Sequence, residues 1–371
     1  MRVLHISNDY YNSGVYGTLH EGHLRHGLDS VFFVPMTQNS PEGNRQHVIE
    51  AHCFKPADRF LYMNKQRKIY QYFREAVCRH KPDLNHGYFL FSGGIHCLWA
   101  KREFGIPYVI TVQNTDINSI FRYFVHLRPL GRKILQEAEK VFFISDAYRR
   151  FTLEHMVRPK DRAALEQKSC LVPFALDPFW TQNSDTTSRE SHEGSVRLLT
   201  VGNVSKLKNQ LTTMEAVRLL REREIDAELT VIGPTLDTEI DRKLRECPFV
   251  HRIDKLPKEE LIGYYRQADL FVLPSLTESF GLVYAEALSQ GLPVLYSAGQ
   301  GFDMQFPEGF VGYRVDAQSA ESVANAVCRA LNEKTQLQKN CAAAAEKFSQ
   351  DAVCSMCEDL YLDVLKQKEK K

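Results

Sequence analysis

Short apolar runs alternate with longer amphipathic stretches along most of this 371-residue chain. In the first half, "RVLHIS", "DSVFFVP", "PYVITV" and "KVFFIS" read as strands buried on both faces. Each is too short for a helix and rich in β-branched or aromatic residues. Segments of helical period lie between them. A polar stretch, "TQNSDTTSRESHEGS" from Thr181 to Ser195, then breaks the pattern. It is rich in Ser, Thr and charge, carries no apolar side chain, and reads as a linker. The alternation resumes beyond it. "VRLLTVG", "AELTVIG", "FVHRID", "DLFVLPS" and "PVLYSA" read as strands, separated by the helical patterns "NQLTTMEAVRLLRERE", "TEIDRKLREC", "PKEELIGYYRQA" and "GLVYAEALSQG". The tail "DAVCSMCEDLYLDVLKQKEKK" begins as an amphipathic helix and ends in solvated lysines.

Strand–helix alternation of this kind calls for parallel sheets with helices on both faces. The expected architecture is α/β, with two Rossmann-like doubly wound domains over residues 1–180 and 196–350. A linker over 181–195 joins them, and a terminal helix over 351–371 packs back on the N-terminal domain. Ligands of such sheets bind outside the carboxyl ends of the strands, so two joined domains are expected to face each other across a cleft.

Composition narrows the class. Hydrophobic residues make up 43% and charged residues 25%, as in ordinary soluble proteins. The start, "MRVLHISNDYY", lacks the apolar core of a signal peptide. No run approaches the ~20 apolar residues that span a bilayer, so a cytoplasmic protein is expected. Nine cysteines, an odd number without framework spacing, indicate no disulfide scaffold. Cys354 and Cys357 form a C-x-x-C pair on a helical stretch with no strand before it, and read as buried helix cysteines.

The net charge of +1 conceals an asymmetry. Residues 1–180 hold 24 Lys and Arg against 17 Asp and Glu, and the remainder 23 against 29. Two segments concentrate the positive charge, Lys55 to Lys81 and Phe121 to Lys133, and both mix it with aromatic side chains. A solvated basic face explains them, as does contact with anionic lipid at the inner membrane face. No recognised nucleic-acid motif accompanies them, and nucleic acid is not an expected partner.

The most specific segment is "PSLTESFGLVYAEALSQGLPV", Pro274 to Val294, with Glu278 and Glu286 eight residues apart. A strand ends at Pro274 and a helix begins at about Ser279. A helix start at the carboxyl end of a strand offers free backbone N–H groups to an anion. Gly281 removes a side chain where a ligand approaches the backbone. If helical throughout, the segment separates the glutamates by ~12 Å. They are placed to grip two parts of one long ligand and cannot share a proton.

This segment resembles the E-x7-E stretch of the retaining, GT-B fold glycosyltransferases of family four. "LLTVGNVSKLKNQLTTMEAV" is similar to the family's strand, loop and helix with a basic phosphate clamp, and "LPKEELIGYYRQADLFVLPS" to its run-in. "RVLHISNDYYNSGVYGTLHEGHLRHGLDSVFFVP", "PYVITVQNTD" and "AEKVFFISDAYRR" follow the order of its acceptor domain. The resemblance implies a sugar nucleotide, UDP- or GDP-linked, as donor and a hydroxyl on a glycan or lipid-linked precursor as acceptor. It implies that Glu286 holds the ribose and Glu278 the transferred sugar. The amides around Ser279, Phe280, Gly281 and Leu282 meet the sugar and diphosphate, Lys208 pairs with the diphosphate, and Gly14 lets the backbone approach it.

No D-x-D occurs, so no metal or other cofactor is expected, and neutralisation falls to lysine and a helix start. Three departures stand out. Asn203 takes the place of the family's arginine, with Lys206 as its possible substitute. "NHGY" places His86 and Tyr88 where the family has H-x-H, with His86 the candidate catalytic group and Tyr88, like Asn114, a candidate acceptor contact. "QNTD" places Asn114 and Asp116 at a strand end, where Asp116 serves either an acceptor hydroxyl or a helix cap. Alternatives of other kinds are a sugar-nucleotide epimerase and a non-catalytic sugar-nucleotide or glycan-binding subunit. A dinucleotide oxidoreductase lacks its G-x-G-x-x-G here.

Overall fold

The computed structural model describes residues 1–41, 43, 45–185 and 194–369. Contacts divide the chain into two units. Met1–Ile144, Tyr148–Ala175 and Gln350–Lys371 form the first, and Ser145–Ala147 with Leu176–Ser349 the second.

The first unit is built on seven strands: β1 (Arg2–Ile6), β2 (Asp29–Thr37), β3 (Val48–Phe54), β4 (Leu84–Tyr88), β5 (Tyr108–Val112), β6 (Lys140–Phe143) and β7 (Ser169–Leu171). They lie in the order β3-β2-β1-β4-β5-β6-β7, every neighbouring pair parallel. All seven carboxyl ends therefore share one edge. The apolar runs bury both faces. Phe33, Ile110 and Phe143 pack on one side with Phe73 and Phe91. Val3, Phe32 and Phe142 pack on the other, against Val353, Cys357 and Tyr361 of the last helix, Gln350–Glu369. That helix approaches helix Gly14–Arg25 so closely that a methyl on Gly22 would sit 2.5 Å from the Cys354 sulfur. Both cysteines of the C-x-x-C pair are buried and unbridged in this packing.

The second unit has six parallel strands: β8 (Val196–Val201), β9 (Ala227–Ile232), β10 (Val250–Ile253), β11 (Leu270–Leu273), β12 (Val294–Ser297) and β13 (Gly312–Val315). Their order is β10-β9-β8-β11-β12-β13. The chain reverses its winding direction between β8 and β11, and loops leaving the carboxyl ends of two such strands converge on a ligand crevice.

The nine strands read from apolar runs are present. The pattern missed β3, β4, β7 and β13. Strand β4, "LNHGY", is polar yet entirely buried, and β3 is an edge strand carrying Glu50 and His52. The division falls at Ala175, earlier than the expected residue 180. Trp180 is buried against Tyr265 at 5.4 Å between ring centres, so the chain joins the second unit before its polar stretch begins. Most of the expected linker, residues 186–193, lies outside the described residues. Among the described residues no helix is long and apolar enough to cross a membrane.

Candidate active site

Two loops meet where the second sheet reverses. The one after β8 runs from Gly202 to Asn209, and the one after β11 from Pro274 to Gly281. Leu276 N–H donates to the Leu207 carbonyl at 2.8 Å. The Asn209 amide donates to the carbonyls of Pro274 at 2.9 Å and Ala317 at 2.6 Å. Asn209 itself is left-handed, with φ of 57°, and opens helix Gln210–Glu222. Gln210 bridges the loop from within, donating to the Asn203 carbonyl and accepting from Ser205 N–H. These bonds fix the loop that presents Lys208, whose side chain runs over Gly202.

Lys208 Nζ lies 2.5 Å from Glu278 Oε2. Glu278 is 8% exposed, and the Ser275 hydroxyl donates to the same oxygen at 3.3 Å. Its peptide is clamped from both sides. Glu278 N–H donates to Gln300 Oε1 at 2.9 Å, and Gly301 N–H donates to the Glu278 carbonyl at 3.1 Å. A methyl on Gly301 would meet the Ser279 carbonyl oxygen at 2.2 Å, so only glycine allows this buttress.

Helix Leu282–Ser289 starts three residues later than expected. Gly281 precedes it with φ of +82°, a left-handed conformation that costs a side-chain residue on the order of 1–2 kcal/mol. A methyl there would also lie 2.5 Å from the Tyr284 ring. Glu278 therefore sits in the loop before the helix, while Glu286 lies one turn inside it. Ser279 and Leu282 are part-buried, and Phe280 is buried against Phe348. Glu286 is part-buried and accepts from the Tyr265 hydroxyl at 2.9 Å. Burial pushes its carboxyl up to about 7, the Asp177 charge adds to this, and the Tyr265 hydrogen bond opposes it. Asn203 and Lys206 are exposed on the same loop as Lys208.

The first unit treats its candidates differently. Gly14 opens its helix in an exposed position, with nothing within 4 Å of an added methyl. His86 is 1% exposed, and both ring nitrogens are engaged: Nδ1 with the Tyr361 hydroxyl and Nε2 with the Thr111 hydroxyl, each at 2.7 Å. Burial holds its pKa well below the usual histidine range. Tyr88 is buried and stacks on it at 4.1 Å. The cavity beside them, lined by Tyr16, His86, Tyr88, Phe174 and Cys357, holds about 20 Å³, room for one water and not for a sugar. This corrects the expectation of a catalytic His86 and an acceptor-binding Tyr88, because a strand with both faces covered presents neither.

Asp116 is fully buried and accepts from three backbone amides: Leu90 at 2.8 Å, Gln113 at 3.0 Å and Phe91 at 3.3 Å. Burial raises its carboxyl to about 6 against the pull of those bonds. With three acceptor positions used, Asp116 ties two strand-end turns together. The structure therefore matches neither expected role as stated: Asp116 lies inside the short helix Asp116–Phe121 and caps no helix with its side chain, and its carboxylate is taken up by the turns instead of facing an acceptor. Asn114 is part-buried and accepts from the Asn118 side chain.

Sequence reasoning did not single out Ser275, Gln300 or Tyr265. Ser275 and Gln300 hold Glu278 and Tyr265 holds Glu286. Gln300 had a signal, standing between two glycines in "AGQGF" directly after a strand. Among the described residues no group of three His, Cys, Asp or Glu side chains is placed to hold a metal ion.

Two all-parallel α/β units of this order, with paired Lys208 and Glu278 at a sheet reversal, define a GT-B architecture. The solved structures agree on the fold. A sucrose-phosphate synthase from Thermosynechococcus elongatus superposes with a TM-score of 0.73 at 19% identity, covering 99% of this chain and 100% of that one. Anabaena HepE in complex with UDP gives 0.72 at 13% identity, covering 98% and 100%. Residues 182–348 match the model of the glycosyl transferases group 1, and residues 17–165 that of a glycosyl transferase 4-like domain. The chain belongs to this glycosyltransferase family. A D-inositol 3-phosphate glycosyltransferase from Pseudarthrobacter chlorophenolicus is 32% identical over 281 residues, 68% of this chain and 64% of that one. Another so named, from Corynebacterium aurimucosum, is 26% identical over 310 residues, 76% and 72%. Matches to several other curated relatives span half of their length or less.

Proposed function

We propose that this protein is a retaining glycosyltransferase that moves a sugar from a UDP- or GDP-linked donor to a hydroxyl acceptor. The observation that carries this reading is Lys208 Nζ held 2.5 Å from Glu278 Oε2 beside the Glu278–Leu282 backbone. A diphosphate brings two negative charges to a lysine balanced by one carboxylate, and so competes with Glu278 for it. Once displaced, Glu278 is free to accept hydrogen bonds from the hydroxyls of the transferred sugar. Glu286 receives the ribose hydroxyls, which donate best to its ionised form.

As the glycosidic bond breaks, negative charge grows on the departing phosphate oxygen. Lys208 and the loop amides stabilise it, an effect of ~3 kcal/mol for one such donor. We assign retention of the anomeric configuration to attack by the acceptor hydroxyl from the face the diphosphate leaves, with the leaving phosphate taking its proton. We assign neutralisation of the diphosphate to Lys208 and the amides, without a metal. HepE, of the same fold, was crystallised with UDP and with UDP-glucose, which supports the donor class. We place the acceptor among surface glycans and their lipid-linked precursors, handled by a protein on the cytoplasmic side.

A thermal-shift panel of UDP-, GDP- and ADP-sugars tests the reading, since a bound ligand raises the melting temperature by mass action. A shift with one donor class is expected, absent in Glu286→Ala. No shift with any sugar nucleotide overturns it, and interconversion of a UDP-sugar without an acceptor would identify an epimerase instead.

A further inference from the structure

The two basic, aromatic segments lie far apart in sequence but reach one edge of the first unit. Residues 55–61 follow the carboxyl end of β3, and residues 113–127 follow that of β5. Both are anchored on the turn after β4: the Tyr62 hydroxyl donates to the Phe91 carbonyl at 2.5 Å, and Asp116 accepts from Leu90 and Phe91 N–H. From that anchor each segment carries large apolar side chains outward. Phe60 and Leu61 are 75% and 59% exposed, and Tyr123, Phe124 and Val125 are 69%, 50% and 57% exposed. Arg59 lies over the Phe60 ring at 4.8 Å, and Arg122 over the Tyr123 ring at 5.5 Å.

The charge around these tips has one sign. Residues 121–133 contain no acid, and the one acid in 55–61, Asp58, is held by Lys68. Arg59, Arg67, Arg122 and Lys133 form no ion pair among the described residues. Further along helix Tyr62–His80 the pattern ends, because Glu103 pairs with Arg74 and accepts from Tyr70. A merely solvated basic face would not place five large apolar side chains in water beside its cations. A nucleic-acid backbone offers those side chains no partner. A surface with an anionic outer layer and an apolar layer beneath matches both the cations and the apolar tips.

We infer that the carboxyl edge of the first unit docks on an anionic lipid surface through two tips, Arg59–Leu61 and Arg122–Val125. The inference rests on the proposed transfer reaction only in that a lipid-borne acceptor is delivered at the strand edge where ligands of such sheets bind.

Co-sedimentation of the full chain with vesicles tests it, comparing phosphatidylcholine alone with an equal mixture of phosphatidylcholine and phosphatidylglycerol. Binding to the mixture alone is expected, weakening as salt rises. Arg59→Glu with Arg122→Glu should lower partitioning by about 25-fold or more, at about fivefold for each cation removed. Phe60→Ser with Phe124→Ser should lower it comparably at unchanged charge. All four positions are exposed, and an unchanged melting temperature verifies the fold. No binding to the mixture, or equal binding to both vesicles, overturns the inference. So does self-association by light scattering that Phe124→Ser abolishes, or tighter binding to RNA than to vesicles. Sugar-nucleotide titration of the same variants should match the unaltered chain, so loss of docking and loss of donor binding are read separately.

Discussion

Glu286 ties donor affinity to pH. Its carboxyl titrates near 7, against an ordinary value of 4.5, because it is buried beside Asp177 with one hydrogen bond from Tyr265 to offset the loss of water. Ribose hydroxyls donate to the ionised carboxylate, so binding favours the deprotonated form and releases a proton. With a pKa of about 7, the ionised fraction rises from roughly a tenth at about pH 6 to roughly nine-tenths at about pH 8. The apparent Kd for a sugar nucleotide should therefore fall about tenfold over that interval, and binding at about pH 7 should release about half a proton. Donors with an esterified diphosphate are used because they have no phosphate proton to lose near neutrality. Calorimetric titration in buffers of different ionisation enthalpy reads affinity and proton release together. Tyr265→Phe removes the bond that lowers the pKa and should move the midpoint to higher pH. Glu286→Gln should bind more weakly with a flat profile. An affinity independent of pH without proton release, or the same slope in Glu286→Gln, refutes the reasoning. The protein without donor provides a second readout. A carboxyl whose pKa rises on folding favours the folded state below its unfolded pKa. That contribution is lost between about 4.5 and 7, and Glu286→Gln should remove this part of the pH dependence of the melting temperature.

Lys208→Ala should lower turnover by two to three orders of magnitude, matching ~3 kcal/mol for a lost charge-stabilising donor; a wild-type rate in a steady-state assay would place the clamp elsewhere. Gly281→Ala should lower stability by about 1–3 kcal/mol in denaturant melts, from its positive φ and the approach to Tyr284, and unchanged stability would contradict the loop geometry. His86→Ala should cost about 1–3 kcal/mol by leaving the Tyr361 and Thr111 hydroxyls unpaired; a loss of kcat without loss of melting temperature would restore a catalytic role. Activity should survive EDTA, and a strict requirement for added Mg²⁺ or Mn²⁺ would contradict neutralisation by Lys208.

What the chain shows in one dimension depends on whether a residue's role is local. Strands such as β8 and β11, buried on both faces, appear as apolar runs because both sides must shed water. Strand β4 does not, because His86 finds its partners on β5 and on the last helix, 25 and 275 residues away. Glu278, Gly281 and Glu286 were legible because a strand-to-helix turn sets them within one short segment. Their supports were not, since Gln300 and Tyr265 reach them only through tertiary packing. Asp116 could be read two ways in sequence, and the three amides it accepts from give it neither role but the bracing of strand-end turns. The helix start shifted from Ser279 to Leu282 because Gly281 takes a left-handed conformation that pattern alone does not reveal.

Co-crystallisation with the sugar nucleotide that gives the largest thermal shift is the most direct measurement. The account predicts the diphosphate between Lys208 and the amides of Ser279 to Leu282, the ribose on Glu286, and the Lys208–Glu278 pair parted. A diphosphate bound elsewhere, with that pair still closed at 2.5 Å, would contradict it.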